Sequence, residues 1–301
     1  MSRGVGEVEF VAGLPDAVAF VAALVTALGD VWFVFAVFGA LYWFGTALPA
    51  PVALPRRHAA FGIALAFGGL ATVTALKELF RLPRPPGAAD PAGAEVVPEA
   101  LLPLYAEIGA ASGFGFPSGH AVSAVVVYGG LALLVGGRRS AAAAAALCVA
   151  IPLSRIALGV HYLVDIAAGL AVGAAYLGVV YRLCGRGSKP GRALLVALGV
   201  ALVGAGIGYS TETMLALGGA LGGRMAWGIV GSAVLHEPTT RAGGAVATTI
   251  GLAFGGLFAV VYALAPAPYL SFLGTFVVVW GVLSAPLAGE GIARRLSPRT
   301  R

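Results

Sequence analysis

The chain has 301 residues, of which 59% are hydrophobic and 11% charged, with a net charge of +6, 45 glycines and two cysteines. Its apolar runs are too long and too many for a soluble core, because a membrane-spanning helix takes about 20 mostly apolar residues; a soluble or disordered chain is excluded. Cys148 and Cys184 fall in or beside apolar runs, which excludes a disulfide framework and a cysteine metal site, and the basic residues lie at helix ends and in short connections rather than in one patch for nucleic acid.

In chain order, Met1–Asp16 carries Arg3, Glu7, Glu9 and Asp16 and lacks the basic and apolar regions of a cleavable signal, so insertion is assigned to the later spans. Phe10–Gly29 is apolar but broken by Pro15 and Asp16; it reads as an interfacial helix on the outer face, with a tenth span as the alternative. Nine spans are predicted: Val31–Ala50, Ala59–Phe80, Pro117–Val135, Ala141–Gly159, Tyr162–Leu183, Ala193–Tyr209, Met214–Leu235, Ala245–Ala265 and Tyr269–Leu287. Between the second and third, Arg81–Gly115 is the longest hydrophilic connection, with a proline-rich start at Arg81–Pro91 and a short helix at Pro98–Ile108; such connections serve as lids or collars. The predicted fold class is all-α, a polytopic transmembrane helical bundle. It divides into an interfacial or membrane-dipping stretch (residues 1–30), a core (31–185), a C-terminal transmembrane extension (193–290) and a basic tail (291–301). The many glycines and alanines suit close helix approach in lipid.

Short basic connections stay cytoplasmic. Arg56-Arg57, Arg138-Arg139, the stretch Arg182, Arg186, Lys189 and Arg192, and the tail Arg294, Arg295, Arg299 and Arg301 share one side when the spans are counted in order, and His236–Arg241 joins them. The other side receives the Lys77–Arg84 end of the second span, the Pro117 start of the third and the Ser154–His161 connection. The chemically capable polar residues are therefore expected at the extracytoplasmic face of the plasma membrane.

Three clusters carry the chemistry. Lys77 ends an apolar helix, and Pro83 and Pro85 stop that helix and push Arg84 into an extended conformation; alone, the two cations read as snorkelling anchors of a helix end. Pro117-Ser118-Gly119-His120 reads as the opening of the third span, with Pro117 in the first turn, outward-facing backbone N–H groups, a hydroxyl at Ser118, close backbone approach at Gly119 and a titratable ring at His120. A capping serine beside an interfacial histidine is the plainer alternative. In Ser154-Arg155 with His161 and Asp165, the last two are one helical turn apart, so the carboxylate can hold the imidazole Nδ1 proton and leave Nε2 as nucleophile or base. Arg155 offers a fork suited to phosphate oxygens, and a structural His/Asp pair is the alternative. Asp90, Glu95, Glu99 and Glu107 fit no metal-ligand spacing and read as a solvated loop; no metal or other cofactor is expected.

Taken together, Lys77 to Arg84-Pro85, Pro117-Ser118-Gly119-His120, and Ser154-Arg155 to His161 and Asp165 resemble the full signature of the type 2 phosphatidic acid phosphatase (PAP2) superfamily, over Lys77–Asp165. The resemblance implies that His161 attacks phosphorus to form a phosphohistidine, Asp165 orients it and His120 protonates the leaving oxygen. It also implies that Lys77, Arg84, Ser118, Gly119 and Arg155 bind phosphate oxygens. The soluble haloperoxidases of that superfamily are excluded by hydropathy.

The expected activity is hydrolysis of a lipid phosphate or diphosphate by an integral membrane enzyme. An isoprenoid diphosphate is preferred over phosphatidic acid or phosphatidylglycerol phosphate. A lipid phosphotransferase is the enzymatic rival, and a transporter or scaffold built on the C-terminal helices, with Arg224 and Glu212 lining a polar passage, is the rival of another class. Expected partners are the lipid substrate and the bilayer, with no nucleic acid; oligomeric state is not legible.

Overall fold

The computed structural model describes residues 3–50, 52–264 and 267–296. Residues 1–2, Ala265 at the end of the eighth predicted span, and Arg299 and Arg301 of the basic tail lie outside the described residues. The architecture is all-α. In order come α1 (Glu7–Ala12), α2 (Asp16–Thr26), α3 (Val31–Phe44), α4 (Arg56–Phe80), α5 (Leu102–Gly109), α6 (Gly119–Ser123), α7 (Gly130–Val135), α8 (Arg138–Ala157), α9 (Leu163–Leu183), α10 (Pro190–Ile207), α11 (Thr211–His236), α12 (Arg241–Leu264) and α13 (Pro268–Leu296).

Among the described residues, six helices are long and apolar enough to cross a membrane (α4, α8, α9, α10, α12 and α13), or seven if Asp16–Gly29 and Val31–Ala47, broken at Asp30, form one span. This is a multi-pass membrane protein, with fewer such helices than the nine spans predicted. Two differences have a compositional cause. The predicted third span is a short apolar rod, Gly119–Val135, in which a π-helical stretch, Ala124–Gly129, joins α6 to α7. Within α11, Arg224 and the glycines Gly218, Gly219, Gly222 and Gly223 dilute the apolar character of a helix that is otherwise long enough.

The described residues group into two compact units, Met1–Val34 with Leu76–Val179, and Phe35–Ala75 with Val180–Arg301. In the first, α9 lies against α6 because Gly169 and Gly173 carry no side chain: a Cβ at Gly169 would sit 2.7 Å from both Ala121 Cβ and the Ser118 carbonyl oxygen, and one at Gly173 3.1 Å from the Val122 carbonyl oxygen. Small residues in lipid permit this approach. A small apolar core of Ala19, Ala22, Ala23, Tyr105, Leu158 and Val160 joins α2, α5 and the turn after α8. It anchors the long connection before α6, whose helix α5 falls where the short helix was predicted.

In the second unit, Arg56 is buried and donates to the carbonyl oxygens of Tyr42, Val234, Glu237 and Pro238. Buried Glu290 accepts from the Thr240 backbone N–H at 2.9 Å and hydroxyl at 2.8 Å. α11 meets α13 at Gly218 and Gly222, where a Cβ would overlap the Phe272 and Phe276 backbone. Arg224 and Glu212 are twelve residues apart on α11, about 18 Å along its axis.

The Gly169 approach is testable. Gly169→Ala should lower the thermal midpoint in detergent by roughly 2 °C or more, the effect of overpacking by about 1–3 kcal/mol. Gly178→Ala, in the same helix with open space around the new methyl, should leave it unchanged or slightly raised. Equal responses of the two variants would refute the close contact as the reason for glycine.

Candidate active site

Helix ends and connections of the first unit bring the three clusters together. Ser118 follows a cis Phe116–Pro117 bond and is the N-cap of α6; its Oγ accepts from Ala121 N at 3.5 Å, and its own N–H donates to the Asp165 carbonyl oxygen at 3.0 Å. Pro117 therefore stands just outside the helix rather than in its first turn. The Ser118 amide, expected to face an anion, is already engaged. Gly119 and His120 open the helix.

Arg155 lies in the last turn of α8 and His161 in the turn that follows, while Asp165 sits in the first turn of α9. All three are buried. His161 Nδ1 is 3.3 Å from Asp165 Oδ2, which also accepts from Tyr162 N at 3.0 Å. Arg84 Nη1 lies 2.9 Å from His161 Nε2. These two contacts fix the ring's tautomer: a carboxylate only accepts and a guanidinium only donates, so Nδ1 carries the proton and Nε2 offers its lone pair. Arg84 is held by the carbonyl oxygens of Ser112 (2.9 Å) and Val160 (3.0 Å).

Burial, followed by the charges of Arg84, Arg155 and Lys77, holds the His161 imidazole well below its usual value of 6.5. Burial likewise lowers Arg84 to about 10, with Asp165 opposing the shift. Lys77, in the last turn of α4, has both His120 and His161 within electrostatic reach. Arg155 donates to Thr26 Oγ1 (3.0 Å) and the Ile108 carbonyl oxygen (3.3 Å), but its buried Nε has no partner. An orphan buried donor is costly, and here it belongs to a group whose fork suits phosphate oxygens.

Among the described residues, three side chains outside the predicted set hydrogen-bond to it. Arg3 Nη1 binds Asp165 Oδ1 at 2.5 Å, Arg3 Nη2 donates to the Pro83 carbonyl oxygen, and the guanidinium lies over the rings of Phe116 and Tyr162. Asp30 Oδ1 is 2.9 Å from His120 Nε2. Thr26 accepts from Arg155. Asp30, a lone acid closing an apolar run, was a visible signal in the sequence; Arg3 and Thr26 gave none. Among the described residues, no three of His, Cys, Asp and Glu approach closely enough to hold a metal, and Asp90, Glu95, Glu99 and Glu107 form no such group.

The family model described as PAP2 superfamily matches residues 57–188. Proteins from two strains of Mycobacterium tuberculosis, each named decaprenylphosphoryl-5-phosphoribose phosphatase, are 32% identical to this chain over 152 residues, covering 50% of it and 75% of each relative. No solved structure matches the chain.

The neutral His161 ring has a pH consequence. Its folded pKa lies below the unfolded 6.5, so as pH falls below 6.5 the unfolded chain takes up a proton that the folded chain refuses. The associated stability is present above pH 6.5 and lost below it, by up to about 1.4 kcal/mol per pH unit. Between pH 7 and 5 the thermal midpoint should fall more steeply for the wild type than for His161→Gln. Parallel slopes, or an imidazole nitrogen resonance of His161 titrating near 6.5, would contradict this picture.

Proposed function

The chain belongs to the PAP2 superfamily, and from that premise we propose that it removes phosphate from a lipid-borne phosphomonoester at the extracytoplasmic membrane face, through a phosphohistidine on His161. As a member of that family it is a phosphatase, a hydrolase of phosphoric monoesters. The observation that carries the mechanistic reading is the pair of contacts on one ring: Asp165 on Nδ1 and Arg84 on Nε2 leave a buried, neutral imidazole with its lone pair directed at a cation that phosphate can replace.

In this reading the phosphoryl oxygens take over Arg84 and meet the unpartnered Arg155 Nε, Lys77, the Ser118 hydroxyl and Gly119. Phosphoryl transfer depends mainly on in-line positioning and on cations for the equatorial oxygens. His161 Nε2 then forms a bond to phosphorus as the bond to the leaving oxygen breaks, and His120 supplies that oxygen's proton. Asp165 stabilises the positive charge arriving on the imidazole. Water attacks the phosphohistidine in the second half, giving its proton to His120 and releasing phosphate.

For the substrate, the relatives' named activity on a decaprenylphosphoryl-5-phosphoribose supports a phosphate carried by a sugar hydroxyl on a polyprenyl lipid. This class replaces the isoprenoid diphosphate preferred from sequence alone. Purified protein in detergent should release phosphate faster from a polyprenylphosphoryl-ribose 5-phosphate than from phosphatidic acid or a polyprenyl diphosphate. His161→Ala should cut release by at least about a thousandfold while remaining folded, and acid-labile protein-bound phosphate should vanish with it. Retention of more than a few per cent of wild-type turnover by pure His161→Ala would end the nucleophile assignment.

Sidedness rests on the positive-inside rule. Arg138 and Arg139 open α8 while Arg155 closes it, about 25 Å away along the helix. With Cys148 and Cys184 replaced, Ala89→Cys should react with an impermeant thiol reagent on intact cells and Ser140→Cys should not. The opposite labelling would place the site inside the cell.

A further inference from the structure

Two carboxylates touch the two site histidines, and one of them lies outside the region that the family model matches. Asp165 holds His161. Asp30 holds His120, with Oδ1 2.9 Å from Nε2, whereas the matched region is residues 57–188. Asp30 occupies the junction between the short 3-10 turn Ala27–Gly29 and α3. Contacts on the stretch just before Asp30 fix that junction. The Tyr128 hydroxyl donates to the Leu28 carbonyl oxygen at 2.6 Å, and fully buried Thr26 accepts from Arg155 at 3.0 Å. Gly29 has no room for a side chain, since a Cβ there would lie 2.7 Å from Ile151 Cγ2 and 2.8 Å from His120 Cδ2.

The charged groups in electrostatic reach of His120 are Arg155, Lys77 and Asp30. Burial first, and then the two cations, disfavour an imidazolium. A general acid must nevertheless hold a proton when substrate arrives, and the Asp30 carboxylate is the contact that favours it. Because a carboxylate only accepts, Nε2 keeps its hydrogen in both protonation states, and Nδ1 is the nitrogen left to give and regain a proton.

Resting on the assignment of His120 as general acid above, we propose that Asp30 is the positioning residue of His120 and commits the site to an uncharged, poor leaving group. That group is the oxygen of a sugar or other alkyl hydroxyl, in preference to the phosphate leaving group of a lipid diphosphate. An alkoxide is too basic to leave without a proton. As the P–O bond breaks, its electron pair takes the Nδ1 proton and the product departs as an alcohol, while neutral His120 stays on Asp30 through Nε2–H. The attacking water then returns a proton to Nδ1, and the electron pair of the breaking P–N bond returns to His161. A phosphate leaving group departs as a stable anion that needs no such proton, and it brings its negative charge against the Asp30 carboxylate.

The test measures kcat and KM of the purified full chain on three substrates: a lipid alkyl phosphomonoester, p-nitrophenyl phosphate and farnesyl diphosphate. Asp30→Asn should lower kcat on the alkyl monoester by roughly 10- to 100-fold, within the range of general acid catalysis. It should cost much less on the aryl ester and raise the diphosphate-to-monoester ratio at least about tenfold. Asp30→Glu should recover part of the alkyl activity. Asp30→Ser, read by the same criteria, serves if Asp30→Asn does not fold. Equal losses on all three substrates, or no loss, would overturn the proposal. His120→Asn separates the two levels of the argument. If it shows the leaving-group dependence and the Asp30 variants do not, the role of Asp30 falls alone; if it shows none, the acid assignment falls and this proposal falls with it.

Discussion

Asp165 is the group on which the geometry of the site depends. Its Oδ2 accepts from His161 and the Tyr162 amide, its Oδ1 binds Arg3, and its carbonyl oxygen accepts from the Ser118 amide. One residue thus ties together the start of α9, the turn before it, the cap of α6 and the N-terminal stretch. A carboxylate fully removed from solvent is tolerable only when its charge is paired and its lone pairs are filled. Stripping away one partner of such a pair costs about 3–5 kcal/mol. The same arrangement that makes Asp165 tolerable in a membrane protein also fixes which nitrogen of His161 is free.

Burial and positive charge push the His161 ring the same way. Water is excluded, and the surrounding cations penalise a second positive charge, so the imidazole stays neutral. The glycines of α9 are part of this electrostatic arrangement, because the backbone approach at Gly169 and Gly173 sets α6 beside α9. In lipid no hydrophobic force drives two apolar helices together, so close packing of small residues has to supply the association. The second unit uses the same device at Gly218 and Gly222. There the buried Arg56 is satisfied chiefly by carbonyl oxygens, and Glu290 by Thr240.

The fold class and the His161/Asp165 pair were legible because both are periodic: apolar runs of helical length, and an acid one turn after a histidine. The signature spacing carried Lys77, Arg84 and Arg155 to the same place, where the geometry now gathers them. The glycine-rich α11 and the short Gly119–Val135 rod are helical where spans were predicted, but their composition and length set them apart from the six long apolar helices. Arg3 and Thr26 were missed for a different reason. Their partners, Asp165 and Arg155, are more than a hundred residues away, and no local pattern encodes a pairing of that kind. Asp30 was the intermediate case, since an acid ending an apolar run is conspicuous but its partner is not.

Charge balance explains why the N-terminal stretch belongs to the chemistry rather than to its surroundings. With both imidazoles neutral, the cations Arg3, Lys77, Arg84 and Arg155 stand against the carboxylates Asp30 and Asp165, a formal excess of two positive charges. A phosphomonoester dianion cancels that excess in a place where unbalanced charge is expensive. The residues of the family signature alone, without Arg3 and Asp30, give the same total, so the N-terminal pair does not change the net charge; it distributes it. Arg3 adds positive charge beside Asp165, and Asp30 adds negative charge beside His120. A cation is thereby placed beside the carboxylate that holds His161, and an anion beside the imidazole to which the proposed mechanism gives a proton. In the mechanism proposed above, the proton on His120 is the one charge in excess when substrate is bound, and it is the charge that would depart with the leaving oxygen.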